Sequence, residues 1–176
     1  MKKIILTIAL LIIFIKCSAQ TKLTPGEIQG KHDTFIVNKL SYHDSVRYID
    51  IYSKSNKYNN GIPYTKEEKN RTFVPMDFRK DLHVDKDAAK QIIYTILSDK
   101  LAALKNNKET MSVLVEFETD GKITDISFTL KEDTLVSLED IEQIDYSLRK
   151  NITATFTGEN YKHYIAINYN FPVIIF

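Results

Sequence analysis

The stretch MSVLVEFETDGKITDISFTL, Met111 to Leu130, decides the fold. Met111, Val113, Val115 and Phe117 alternate with Ser112, Leu114, Glu116 and Glu118. Beyond Asp120-Gly121 the alternation resumes, with Thr124, Ile126, Phe128 and Leu130 set against Ile123, Asp125, Ser127 and Thr129. Successive strand side chains point to opposite faces, so each run reads as a strand with one face turned to a core. An Asp-Gly pair between two such runs signals a hairpin. Gly121 supplies the positive φ of a type I′ turn and Asp120 tolerates it. A two-residue loop there sets Phe117 opposite Thr124, Val115 opposite Ile126, Val113 opposite Phe128 and Met111 opposite Leu130. All these partners fall on one face, as a buried face requires. A calcium loop would need further oxygen ligands at set spacings and a distal Glu, which Asp120, Asp125 and Glu132 do not supply. Asp120 and Gly121 are therefore structural turn residues, and no metal is expected.

Outward from the hairpin, Ala89, Ile92, Ile93, Ile96, Leu97, Leu101 and Leu104 form one stripe of a helix between Asp85 and Asn106. Asp85 or Asp87 can cap its start and Asn106-Asn107 fits its end. On the other side, Ser137 and Asp140 have capping-box spacing, and Leu138, Ile141, Ile144 and Leu148 form an apolar face. Glu139, Asp140 and Glu142 at the start, with Arg149 and Lys150 at the end, suit the helix dipole. Residues 162–175 alternate as one long strand whose Pro172 has no N–H to donate. The order helix-strand-strand-helix-strand predicts an α+β domain over residues 85–176: a three-stranded antiparallel sheet with two helices on one face.

Residues 20–84 read as a poorly defined N-terminal extension with short strands. Ser45 to Ser53 is one, Phe35 to Leu40 another, and Asn59-Asn60-Gly61 a turn. Residues 1–19 have the shape of a signal peptide: Lys2 and Lys3, an apolar run from Ile4 to Ile15, then small residues. That run is shorter than the roughly 20 residues of a membrane span. Cleavage is expected after Ala19, with Cys17 and Ala19 as the small residues before the cut. A lipoprotein reading through Cys17 would want a small residue before the cysteine, and Lys16 stands there. The expected location is thus the periplasm or the outer membrane, with no transmembrane segment in the mature chain. Cys17 is the one cysteine, so the mature chain has neither disulfides nor thiolate sites. The leader carries three lysines and no acids, so its removal takes the net charge from +1 to −2. That is no electrostatic footprint for nucleic acid.

The ordered pieces VLVEFETDGKITDISF, IEQIDYSLRK, ATFTGENY and YNFPVIIF resemble the C-terminal domain of TonB-family proteins. The resemblance covers about Asp85 to Phe176. It implies a non-catalytic module that takes an extended peptide of an outer-membrane receptor, or of another envelope protein, onto a sheet edge. The sequence departs from a TonB energy transducer in lacking a long membrane helix and a Pro-rich linker, and its Phe156-Thr157-Gly158 is a shortened form of the family's aromatic-x-Pro-Gly phrase.

An edge strand offers unpaired N–H and C=O groups that an incoming strand satisfies. The expected docking edge is the last strand, with Lys162, Tyr164, Ala166, Asn168 and Asn170 as partner-binding residues. Two structural alternatives stand beside it: these are plain solvated strand residues, or the N-terminal half covers the edge. No catalytic residues and no cofactor are expected. His32, His43, His83 and His163 show no metalloprotease spacing, and no phosphate loop or nucleophile elbow occurs. The alternative function is a structural or carbohydrate-binding envelope protein that uses Tyr48, Tyr52, Tyr58 and Tyr64 for contact.

Overall fold

The computed structural model describes residues 22–40, 46–58, 64–65, 76–77 and 79–176. The leader, Cys17, His43, the turn at Asn59-Asn60-Gly61 and the side chain of Tyr64 lie outside the described residues. The fold is α+β. Its strands are β1 (Gly26–Gln29), β2 (Thr34–Leu40), β3 (Tyr48–Ser53), β4 (Tyr64–Thr65), β5 (Leu82–Val84), β6 (Thr110–Glu118), β7 (Ile123–Lys131), β8 (Ala154–Phe156), β9 (Tyr164–Asn170) and β10 (Ile174–Ile175). Its α-helices are α1 (Lys86–Ile96), α2 (Leu101–Asn106) and α3 (Leu138–Asn151). The main sheet runs β1-β2-β3-β7-β6-β9-β4, with β10 also paired to β6, and all its pairings are antiparallel.

The sheet is not the expected three-stranded one: it has eight strands, among which β7, β6 and β9 are neighbours. The N-terminal residues extend it on both sides. Strands β1 to β3 form a meander against β7, and β4 pairs with β9. Residues 20–84 therefore contribute β1 to β4 to the main sheet, and β5 pairs with β8 apart from it. The reason is visible in β3, where Ile49 and Ile51 are fully buried. Beside β7 they continue the apolar row that Leu130 and Phe128 begin.

The hairpin register holds at Val115–Ile126 and Val113–Phe128, then shifts: Phe117 faces Ile123 rather than Thr124. The loop is three residues, not two. Gly121 N donates to Glu118 O at 2.9 Å and Glu118 N to Lys122 O at 2.9 Å. Gly121 takes φ +85, whereas Asp120 keeps a negative φ. This is a type I turn closed by a glycine bulge, which needs no mirror-image backbone at Asp120. Asp120 instead accepts the Lys122 N–H at 2.9 Å.

The expected single N-terminal helix is two. Asp85 caps α1 through Ala88 N, but the helix ends at Leu97 and residues 97–100 turn before α2. Ser98 and Asp99 are poor helix-interior residues, and Lys100 swings its ammonium onto Asp140 at the start of α3. The capping box of α3 is complete, with Asp140 N bonded to Ser137 Oγ and Ser137 N to Asp140 Oδ2. The last strand breaks at Pro172. Asn170 faces Leu114 and Ile174 faces Met111, which leaves one extra residue between β9 and β10 where Pro172 needs no ladder bond.

One face of the sheet carries Val37, Ile51, Phe128 and Val113 in a row, and these join a single core with Ala89 and Ile93 of α1 and Ile141, Ile144 and Leu148 of α3. Burying an aliphatic side chain of this size stabilises by roughly 1.5–3 kcal/mol. The helices thus cover one face of the sheet. No helix among the described residues is long and apolar enough to cross a membrane.

Candidate functional site

The other face of the sheet is polar, and the registers give its layout. Asn38, Asp50, Thr129 and Ser112 lie side by side across β2, β3, β7 and β6. The next row is Ile36, Tyr52, Ser127, Leu114 and Asn170, reaching β9. A third brings Asp125, Glu116 and Asn168 together. Side chains from these rows line an open groove of about 420 Å³. Among the described residues its lining holds three carboxylates, those of Asp50, Glu116 and Asp125, and no Lys, Arg or His.

The floor is held by the chain itself. Asp125 is nearly buried and accepts the backbone N–H of Lys57 at 2.7 Å and of Tyr58 at 2.5 Å. Asn56 donates to Ile126 O at 2.9 Å and accepts from Arg149 Nη2 at 2.8 Å. Arg149 is anchored in turn on Asp145 through Nε at 2.7 Å and also bonds Thr124 O. So α3 fixes the end of the groove from the helix side. Burial pushes the Asp145 carboxyl upward, against the pull of Arg149. Asp50 differs from Asp125. It is half-buried, and burial raises its carboxyl above the usual range. Its hydrogen bond comes from Thr129 Oγ1, at a long 3.4 Å. Beside it, Asn38 Nδ2 reaches the Tyr52 hydroxyl at 3.3 Å.

A second polar cluster clamps the β1–β2 turn to α3. The Glu142 carboxylate accepts the N–H groups of Lys31, His32 and Asp33 at 3.0, 2.6 and 3.2 Å. Asp33 in turn accepts the hydroxyls of Ser53 and Ser55.

The residues expected at the last-strand edge are divided. Lys162 is not on the strand; it lies in the 3-10 turn Asn160–His163 and pairs with Glu159. Tyr164 and Ala166 begin β9 but are buried, and β4 pairs with this part of the edge, Thr65 facing Tyr164 and Tyr64 facing Ala166. The Tyr164 hydroxyl also receives the Met76 N–H at 3.4 Å. The N-terminal half thus occupies this stretch of edge, through β4 and not through the strand expected over Ser45 to Ser53, which pairs with β7 as β3. Asn168 and Asn170 share the open face with the groove. Gly121 lies elsewhere, against β8, where Ala154 N donates to its carbonyl at 2.8 Å.

Of the tyrosines singled out, Tyr52 lies in the groove, while Tyr48 sits at its far end opposite Lys131. His32 lies in the β1–β2 turn, His83 in β5 and His163 in the 3-10 turn. Among the described residues no three of His, Cys, Asp or Glu are placed to hold a metal. Asn38, Asp50, Ser112, Ser127 and Thr129 were not singled out from sequence. Their signal is the polar half of each strand's alternation, which becomes a site only once the register is known.

No protein-family model matches the chain, and no curated protein matches it. Among solved structures it is similar to the 1.85 Å crystal structure of a DUF5043 family protein from Bacteroides uniformis ATCC 8492. The TM-score is 0.66 at 14% identity, covering 90% of this chain and 88% of that chain. At that identity the likeness carries the fold alone. Its coverage extends the shared fold beyond the region from Asp85 onward to the N-terminal strands.

Proposed function

We propose that this chain is an exported, non-catalytic binding module of the bacterial envelope whose contact surface is the open face of its sheet. One observation carries the reading: helices cover one face, whereas the other presents a groove lined by polar side chains from β2, β3, β6, β7 and β9. Ordinary antiparallel sheets leave one face wet, but this one concentrates amides, hydroxyls and carboxylates in a concavity of ligand size. Export rests on the leader of residues 1–19. A binding role is also what the resemblance to TonB C-terminal domains implies. Strand addition at β9, the mode that resemblance suggests, would have to displace β4 from Tyr164 and Ala166. The face therefore takes precedence over the edge.

The test is sedimentation of the purified protein with peptidoglycan sacculi and with outer-membrane vesicles. Ser127 sits mid-row on the open face, between Tyr52 and Leu114. Ser127→Arg fills the groove without touching the core and should abolish co-sedimentation while the thermal midpoint is kept. Unchanged co-sedimentation of that variant, with loss on disrupting the β4–β9 pairing, would reject the face in favour of the edge.

A further inference from the structure

We infer that the ligand of the open face is an amino sugar whose ammonium group seats on Asp50. The inference rests on the reading of that face as the binding surface. Charge is the first argument. Among the described residues the groove lining includes three carboxylates and no cationic side chain. Asp125 is committed to the backbone of Lys57 and Tyr58. Asp50 is not committed in this way. It lies at the centre of its row, between Asn38 and Thr129, and forms no ion pair among the described residues. Its 3.4 Å bond from Thr129 is a weak substitute for the water it has lost. Withdrawing a carboxylate from water is unfavourable unless a partner compensates, and a ligand cation supplies that partner.

The surroundings decide which cation. An alkylammonium such as a lysine side chain wants an apolar wall for its methylenes. Among the described residues Leu114 is the aliphatic side chain of the lining, since Ile126 faces the core, and hydroxyls and amides dominate. Ser112, Ser127 and Thr129 hydroxyls and the Asn38 and Asn170 amides match a ring bearing several hydroxyls around one amine. Tyr52 offers an aromatic surface for the ring's C–H face one pleat away from Asp50. A free phosphate or carboxylate ligand is disfavoured by the same carboxylates. The volume of about 420 Å³ suits one or two sugar rings.

The experiment is calorimetric titration of the purified protein with four probes: the glucosamine disaccharide, its N-acetylated form, cellobiose, and N-acetyl-lysine methylamide. The first should bind at least about tenfold tighter than each of the others, the span of one charge-assisted hydrogen bond. Asp50→Asn, an isosteric change that removes the charge, should erase that preference while the protein stays folded. Ser127→Arg should abolish binding of every probe. Equal binding of acetylated and free sugars, blocked by Ser127→Arg and indifferent to Asp50→Asn, would overturn the ammonium seat but leave the face as the binding surface. Binding of the lysine amide as tight as that of the disaccharide would overturn the sugar. Absence of binding by all four would overturn this inference, with the face itself judged by the envelope sedimentation. Amino-sugar binding that survives Ser127→Arg would overturn both.

Discussion

Substitution of Gly121 by alanine separates two demands that the turn makes on one residue. The first is backbone: φ is +85, where an L side chain costs about 1–2 kcal/mol. The second is contact. A Cβ at this position would stand 2.1 Å from the carbonyl oxygen of Ala154 and 3.2 Å from its carbon. The obstructing atoms are backbone, and they belong to the strand that donates Ala154 N to Gly121 O at 2.8 Å. Relief of the clash must move β8 away, which loses that bond, at about 1 kcal/mol, and loosens the β5–β8 pair. Together these effects amount to about 3 kcal/mol, or a fall in Tm of about 6–12 °C for a chain of this size. Gly158 is the control: φ is +72, and a Cβ there would meet nothing within 4 Å. Gly158→Ala should lose only the backbone part, about 1–2 kcal/mol and roughly 2–8 °C. Thermal and urea unfolding of the two variants compare them directly. Equal destabilisation would refute the assignment of Gly121 to close approach and leave only its φ.

Other perturbations follow from the same geometry. Asp50 holds its proton more tightly folded than unfolded, so its share of the stability falls as pH rises from the ordinary carboxylate value, 3.8, through the raised folded one. Asp50→Asn should therefore raise Tm at neutral pH, and the gain should vanish under acid conditions below that window; a variant less stable at pH 7 contradicts this. Glu142→Ala leaves three N–H groups of the β1–β2 turn to water, costing about 1–2 kcal/mol. Faster amide exchange should then spread through residues 26–37 while β6 and β7 stay protected. Asp140→Ala breaks both the α3 capping box and a nearly buried ion pair with Lys100, so a loss of about 3–5 kcal/mol is expected in urea unfolding. Restoration of stability by Lys100→Met in that background would show that the stranded cation carries much of the loss.

What the sequence made legible was local. Alternation placed β6 and β7, the Ser137–Asp140 spacing placed the start of α3, and the apolar stripe located the helical segment after Asp85. Within these segments the departures arise where a local rule admits two geometries. Asp120-Gly121 fits a two-residue turn or a three-residue one, and tertiary contact with Ala154 selects the latter. Ser98-Asp99 interrupts a stripe whose phase survives the interruption, so one helix was expected where α1 and α2 stand. The placement of β1 to β4 was not legible. Val37 and Ile51 show that a strand wants a partner but do not say which edge provides it. The candidate site shares that difficulty. Asp50 and Ser112 are far apart in sequence, and each is an ordinary polar strand residue until β3, β7 and β6 lie side by side. The last-strand residues were read from alternation and from the TonB resemblance, neither of which can show that β4 covers Tyr164 and Ala166.

Hydroxyl-radical footprinting of the protein, alone and bound to envelope material, tests the central claim most directly. Tyr52 and Leu114 report on the groove, while Ile165 and Ile175, 42% and 71% exposed, report on the last strand and the sheet edge. Binding through the open face predicts protection of Tyr52 and Leu114 with Ile165 and Ile175 unchanged. Protection confined to Ile165 and Ile175 would contradict the account and return the docking site to the edge.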